Sequence, residues 1–337
     1  MNDTTSDTAV IQRLREAHEA VQHQMSKVIV GQTDIIESLM IALLCRGHVL
    51  LYGVPGLGKT LMARTLARCL DLEFRRVQFT PDLMPSDITG ADVLKEDQSG
   101  KHFVEFQPGP VFTNFLLADE INRTPPKTQA ALLQAMQEGE VSAGRQTYPL
   151  KPPFFVVATQ NPIEMEGTYP LPEAQLDRFM FNLKVRYPSV SEEVQIIKGT
   201  TSTLSAHAES VLSADELRRL QEIVRGVPIA DSVVHYAARL VAATRPPGPG
   251  QTSPKALEPL HKYINYGASP RASQFVVLGA KARAILAGRY HVDFADLQAV
   301  APAVLRHRLV LNFHARADGV DADVLVERLL KLIPTEA

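Results

Sequence analysis

Cysteine, net charge and long apolar runs are all scarce in this chain, and each shortage removes a class of protein. Only two cysteines, Cys45 and Cys69, occur among 337 residues. Both fall inside apolar helical patterns, which argues against a disulfide framework and predicts buried, inert thiols. The formal net charge is −2, which gives no bulk attraction to nucleic acid, although a balanced total leaves room for a local basic stripe. No run approaches the ~18 apolar residues of a membrane span. Met1–Thr8 is polar and acidic, with no apolar segment of signal-peptide length, so a cytoplasmic protein is expected. None of the ten histidines stands in an H-E-x-x-H pattern and neither cysteine in a C-x-x-C, so no zinc site is expected. Long internal repeats and heptads do not stand out.

What is present is enough apolar residue, 45% of the chain, to bury a large core. Because single cores stop growing near ~250–300 residues, two domains are expected, and a disordered or fibrous chain is excluded. Strand candidates at 48–52, 74–79, 115–118, 154–159 and 179–185 alternate with helical patterns, which argues for a parallel sheet covered by helices on both faces. After Tyr187-Pro188-Ser189 the strand signal disappears, and helical periodicity follows, broken by loops at Thr244–Pro254 and Tyr266–Pro270. The boundary is set near Pro188, giving an α/β domain over 1–188 and an α-helical domain over 189–337. The segment Arg245–Gly250, rich in Pro and Gly, reads as a surface loop.

The most informative stretch is Gly53-Val54-Pro55-Gly56-Leu57-Gly58-Lys59-Thr60. His48–Tyr52 before it reads as a buried strand, and Leu61, Met62, Thr65, Leu66, Cys69 and Leu70 after it recur at helical spacing. Glycines at 53, 56 and 58 let the backbone curl until successive N–H groups point inward, and the helix that opens near Gly58 adds its positive dipole end. Lys59 would reach the β- and γ-phosphates, and Thr60 would place its hydroxyl on Mg²⁺.

A second landmark is Phe115-Leu116-Leu117-Ala118-Asp119-Glu120, an apolar strand ending in two carboxylates. Beside a phosphate loop, Asp119 would join the Mg²⁺ shell and Glu120 would polarise a water for in-line attack. A third is Phe154–Pro162, a buried strand that carries Asn161 at its tip, where an amide can orient the attacking water and touch the γ-phosphate. Thr124 with Pro125 reads as a helix start and Gly139 as its stop, with Leu132, Leu133 and Met136 facing the core. Arg123 and Lys127 serve either as couplers of this site or as solvated charges.

The ordered set Val30-Gly31-Gln32, Gly53–Thr60, Leu117-Ala118-Asp119-Glu120-Ile121-Asn122-Arg123, Ala158-Thr159-Gln160-Asn161-Pro162 and Leu171-Pro172-Glu173-Ala174-Gln175-Leu176-Asp177-Arg178-Phe179 resembles the MoxR family of AAA+ ATPases over about residues 10–315. One departure is Gly58, where many members carry Ala. The resemblance implies a phosphate-loop AAA+ core with a parallel five-stranded sheet, followed by an α-helical lid. It implies ATP and Mg²⁺ as cofactors, with Gly31, Gln32, Gly53, Pro55, Gly56, Leu57, Gly58, Lys59 and Thr60 binding nucleotide. It further implies a ring homo-oligomer, usually a hexamer, with each nucleotide between two subunits.

In that resemblance Arg178 matches the arginine finger, whose guanidinium suits a phosphoryl group gathering charge; an intrachain salt bridge with Asp177 or Glu173 is the plainer reading. Ser269-Pro270-Arg271 resembles the sensor 2 position, with Arg271 on the γ-phosphate, although a surface arginine would read the same. Part of the stretch near 80–110, otherwise a mobile loop with strand character at His102–Phe106, resembles the helix 2 insert. The stretch near 139–152 resembles the pre-sensor 1 hairpin. The client is expected to be gripped by these two projections. Arg306, His307 and Arg308 read as part of an amphipathic lid helix facing a neighbouring subunit.

The function expected is a Mg²⁺-dependent ATPase ring, chaperone-like, that remodels or matures partner proteins. A von Willebrand factor A protein on a separate chain is the expected partner. Nucleic acid is not. The rivals are a nucleic-acid or chelatase motor of the same clade and a nucleotide-gated scaffold with little turnover, against which Glu120 and Arg178 together speak.

Overall fold

Runs of Val, Leu and Phe between turn residues form strands where the pattern puts them. The computed structural model describes residues 4–144, 146–163, 167–202, 207–248 and 250–335. Five strands, Val49–Tyr52, Phe74–Gln78, Phe115–Asp119, Phe155–Gln160 and Phe181–Lys184, form one parallel sheet in the spatial order second, third, fourth, first, fifth. Each lies within two residues of its expected place.

The period-2 alternation of the strands divides the core. Leu50, Leu116, Ala118, Val156 and Ala158 meet Leu132, Leu133 and Met136 of the helix Pro126–Glu138. Val49, Leu51, Phe115, Leu117, Phe155 and Val157 point the other way, where the helices Thr33–Leu44 and Lys59–Cys69 pack. On that face the same apolar cluster continues into Leu14, Val21 and Met25 of the N-terminal helix and into Leu217, Tyr236, Ile285 and Val304 of the C-terminal helices. Sheet and helical region therefore share one core. Each fully buried Leu or Phe contributes about 1.5–3 kcal/mol.

Local expectations are corrected at several points. The helix Pro126–Glu138 is preceded by Pro125 as cap rather than by Thr124, whose buried hydroxyl donates to Thr80 O (3.0 Å); Gly139 does end it. The stretch 80–110 is ordered: a helix Pro85–Thr89 leads into an antiparallel hairpin, Gly90–Glu96 with His102–Pro108. Its strands are longer than expected because exposed Leu94, Phe103 and Val104 leave both faces in water, so no inward–outward alternation marks them. The second hairpin, Glu140–Ala143 with Gln146–Pro149, lies where expected.

Beyond Pro188, where no strand was expected, Ile264–Tyr266 pairs antiparallel with Val310–Leu311. Strands of two and three residues are too short for periodicity to reveal them. The helix Phe294–Leu305 stops at Arg306, and His307 and Arg308 are buried rather than presented on an outer helical face. Both cysteines are buried, and burial pushes the Cys69 thiol up to about 11 and that of Cys45 higher. Among the described residues no helix is long and apolar enough to cross a membrane.

His48 pins the first strand to its neighbours. Its Nδ1 accepts from Val156 N (3.1 Å) and its Nε2 donates to Met136 O (3.1 Å), so the ring serves once as acceptor and once as donor, which only the neutral form does. Burial holds its pKa down to about 4, against an ordinary value of 6.5. A folded value below the unfolded one means that protonation favours the unfolded chain. The stability from His48 is thus complete above the ordinary value and is lost as pH falls toward 4, by about 1.4 kcal/mol per unit once inside that window. In urea titrations the unfolding midpoint is expected to fall through that window, and His48→Leu to start lower but fall less steeply. Parallel slopes would show that His48 does not carry the effect.

Candidate functional site

The Gly53–Thr60 loop leaves the C-terminal end of the first strand and runs into the helix Lys59–Cys69. Gly56 and Gly58 have φ of 84° and 73°, the left-handed region that glycine alone enters cheaply, and both face open space. Gly58 caps the helix without a side-chain acceptor, so the first N–H groups face the loop and can meet an anion. Lys59 is buried and its Nζ donates to Gly53 O. Burial lowers its pKa, and the nearby Asp119 and Glu120 charges only partly oppose this. A buried cation beside the uncapped N–H groups of a helix start is a cradle that phosphate oxygens would complete. Leu57 packs against the core, and Pro55 is exposed at the turn.

Asp119 ends the third strand, Phe115–Asp119, and is buried among donors. Thr159 Oγ1 donates to its Oδ1 (2.6 Å), Arg76 donates to its Oδ2 through Nε (3.0 Å) and Nη2 (2.7 Å), and Thr60 Oγ1 lies 3.4 Å from the same oxygen. One carboxylate with one hydroxyl is the partial oxygen shell that Mg²⁺ takes when phosphates and water complete it. Glu120 sits at φ 58°, a strained setting for a residue with a side chain, and its N–H donates to Thr159 Oγ1 (2.8 Å). Its Oε2 accepts from Gln78 Nε2 (2.7 Å) and Arg123 Nη1 (3.0 Å).

Gly53 N donates to Gln160 O (3.3 Å), which sets Asn161 one residue beyond the loop's anchor. Asn161 is buried, and its Oδ1 accepts from Ile163 N (3.1 Å), while its Nδ2 has no partner among the described residues. An orphaned amide donor at this tip fits a ligand oxygen. Gln32 donates to Arg186 O (2.8 Å), and its Oε1 is likewise orphaned. Beside it a cavity of about 190 Å³ is lined by Ile29, Val30, Gly31 and Ile36 and by the polar Gln22, Ser26, Thr33 and Gln195, a mixture that suits the faces and the polar edge of a base. Gly31 has φ 69°, in the left-handed region that glycine enters cheaply, and a Cβ there would also have to push aside the Glu192 carboxylate, 2.2 Å away.

Arg178 and Arg271 lie at the other end of the sheet. Phe181 pairs with Val49 at the start of the strands, and Arg178 precedes it. Both arginines line a cavity of about 140 Å³ with Arg46, Gly47, His48 and Phe275. The strand between His48 and the phosphate loop spans about 13 Å at ~3.3 Å per residue. Arg271 therefore does not accompany the phosphate loop of its own chain. The intrachain pairing considered for Arg178 is also absent among the described residues: Asp177 is taken by Arg308, Arg271 and Ser269, and burial pushes the Glu173 pKa up.

Comparison with known proteins bears on the whole arrangement. The profile described as ATPase family associated with various cellular activities matches residues 48–181, and an AAA lid domain profile matches residues 259–329. Chaperone MoxR1 of Mycobacterium tuberculosis is 45% identical over 310 residues, covering 92% of this chain and 80% of that protein. The chain belongs to the MoxR family of AAA+ ATPases. The uncharacterised protein YeaC of Bacillus subtilis is 42% identical over 316 residues, covering 94% of this chain and 93% of that protein. A solved structure from Cytophaga hutchinsonii, whose ATPase designation is itself provisional, superposes with a TM-score of 0.89 at 39% identity and covers 99% of both chains. A parallel five-stranded AAA+ core followed by a lid is thus the fold of this MoxR-family chain.

Three neighbours of the acids escaped the sequence reading. Arg76 and Gln78 share one face of the second strand, two residues apart at its C-terminal end, and Gln78 pairs in register with Asp119. Polar residues at that spacing beside an acid-tipped strand were the available signal. Thr159 was noticed only as part of a motif, yet it is fully buried and holds both acids. Thr159→Val keeps the shape and removes the hydroxyl. It is expected to cost about 1–3 kcal/mol in urea unfolding, the price of stranding a buried carboxylate oxygen and an N–H. A loss below about 0.5 kcal/mol would show that the hydroxyl is dispensable to this MoxR-family fold.

Proposed function

We propose that this chain is a Mg²⁺-dependent ATP hydrolase that works as a ring and couples the hydrolysis to remodelling of a partner protein. The observation that carries the reading is the division of the six candidate residues: Lys59, Asp119, Glu120 and Asn161 stand at the C-terminal edge of the sheet, and Arg178 and Arg271 at the opposite edge. A cavity bearing three arginines and no residue of the chain's own Gly53–Thr60 loop is what a neighbouring protomer's nucleotide would need.

Each residue then has a role that follows from its setting. The loop amides and Lys59 bind the phosphates, and Gly31 and Gln32 border the base. Mg²⁺ held by Thr60 and Asp119 would neutralise phosphate charge. Glu120, aimed by its strained backbone, takes the proton of the attacking water, which Asn161 orients. Arg178 and Arg271 of the next protomer stabilise the charge that develops on the transferred group. The name of the tuberculosis relative, a chaperone, supports a client protein, and the two hairpins are the projections suited to grip it. A von Willebrand factor A protein would be a separate partner.

The test is steady-state ATP hydrolysis over a range of protein concentrations. Glu120→Gln and Arg178→Ala are each expected to lose at least about 100-fold in kcat. Their one-to-one mixture is expected to regain roughly a quarter of wild-type turnover, because random assembly pairs an intact acid with an intact arginine at about one junction in four. Normal hydrolysis by Arg178→Ala at every concentration would sink the trans-acting finger and favour a monomeric switch or scaffold.

A further inference from the structure

A single buried guanidinium sits beneath both arginines of the second edge. Arg308, with its side chain 2% exposed, follows the helix Phe294–Leu305 and reaches back to the turn that carries Arg178. Its Nη2 donates to Asp177 O (2.8 Å) and to Phe179 O (2.6 Å), the carbonyls on either side of Arg178. Its Nη1 donates to Met180 O (3.3 Å) and to Val304 O, and its plane lies over the Phe275 ring at 5.2 Å. Its Nε donates to Asp177 Oδ1 (2.8 Å).

Asp177 passes the constraint on. Ser269 Oγ lies 3.1 and 3.0 Å from its two oxygens, and Arg271 Nη1 lies 3.5 Å from Oδ2. Ser269 is the cap of the helix Pro270–Leu286, accepting from Arg271 N (3.2 Å). One carboxylate thus grips both the first turn of the helix that bears Arg271 and the guanidinium that clamps the backbone around Arg178.

We propose that Arg308, acting through Asp177, is a positioning residue that sets Arg178 and Arg271 as one unit for the neighbouring protomer's nucleotide. It touches no phosphate itself. A planar fork that satisfies carbonyls on both sides of one residue fixes that residue's backbone, which a lysine ammonium on the same stem does not do. The inference rests on the ring reading above, and it adds that the lid, through Arg308, decides where the finger points.

The experiment uses full-length Asp177→Asn, which keeps the shape, and Arg308→Lys, which keeps the charge. Both are expected to lose at least about tenfold in kcat while KM and the affinity for a fluorescent ATP analogue stay within about twofold. Mixed one-to-one with Glu120→Gln, each is expected to regain activity, since the defect lies on the finger side; mixed with Arg178→Ala, neither is. Amide hydrogen exchange at residues 177–180 and 269–272 is expected to rise by at least about tenfold in both. Wild-type kcat, a parallel loss of nucleotide affinity, or unchanged exchange in those two segments would overturn the proposal. If Glu120→Gln and Arg178→Ala fail to complement each other, the ring reading falls, and the exchange result alone judges the joint.

Discussion

In a parallel sheet every strand leaves at the same edge, so the two edges present unlike chemistry. Here the C-terminal edge carries the phosphate loop, the acid pair and Asn161, each on the turn after a buried strand. Loops at this edge open into helices whose free N–H groups suit anions, which is why ligands in such sheets gather there. The N-terminal edge, where Gly47, His48 and Arg178 meet, receives the lid instead. No side chain spans a strand's length, so the two sets of groups do not meet within one chain, and the ring proposed above is what would bring them to one nucleotide.

The acids are fixed and neutralised by different means. Their positions come from buried, neutral or covalent constraints: the Thr159 hydroxyl on both, and the left-handed backbone at Glu120. Their charges are balanced by Arg76 and Arg123, whose side chains are 44% and 41% exposed. The carboxylates they face are only 11% and 22% exposed, so either guanidinium can turn to water only when a cation takes over the charge it leaves behind. Removing Thr159 instead strands groups that water cannot reach. The acids are therefore fixed by buried contacts and charge-balanced by groups that water also reaches.

This division also explains how much of the molecule was legible in the sequence. Strand, glycine loop and helix are local patterns, and the acid-tipped strand and Asn161 lie at the ends of apolar runs that period alone reveals. What stayed hidden depends on residues far apart in the chain. Arg76 means nothing until the second and third strands pair, and Arg308 means nothing until a residue 131 positions away is brought against it. The spacing of Arg306–Arg308 suits an amphipathic lid helix facing a neighbouring subunit, since burial of an arginine is rare. Burial becomes possible only where carbonyls of the turn before a strand, a carboxylate and an aromatic ring converge. The sensor-like Ser269-Pro270-Arg271 showed its helix start but not which edge of the sheet that start faces.

The projections connect to the acids through one rigid element. The helix Pro126–Glu138 begins three residues after Arg123 and ends at Gly139, directly before the hairpin Glu140–Ala143. Gln129, buried at its first turns, donates to Ile121 O (3.2 Å), Thr124 O (2.9 Å) and Tyr169 O (3.1 Å), fastening that helix to the loop after Glu120. At the far end, Tyr148 of the hairpin stacks on Phe106 of the longer hairpin, with centroids 4.0 Å apart and planes 13° from parallel. Helix, hairpin and stacked ring form a continuous packed path from the acid loop to both projections. Interior density holds only along the buried face of the helix, whereas the Tyr148–Phe106 stack is half-exposed and joins the two hairpins by one aromatic contact.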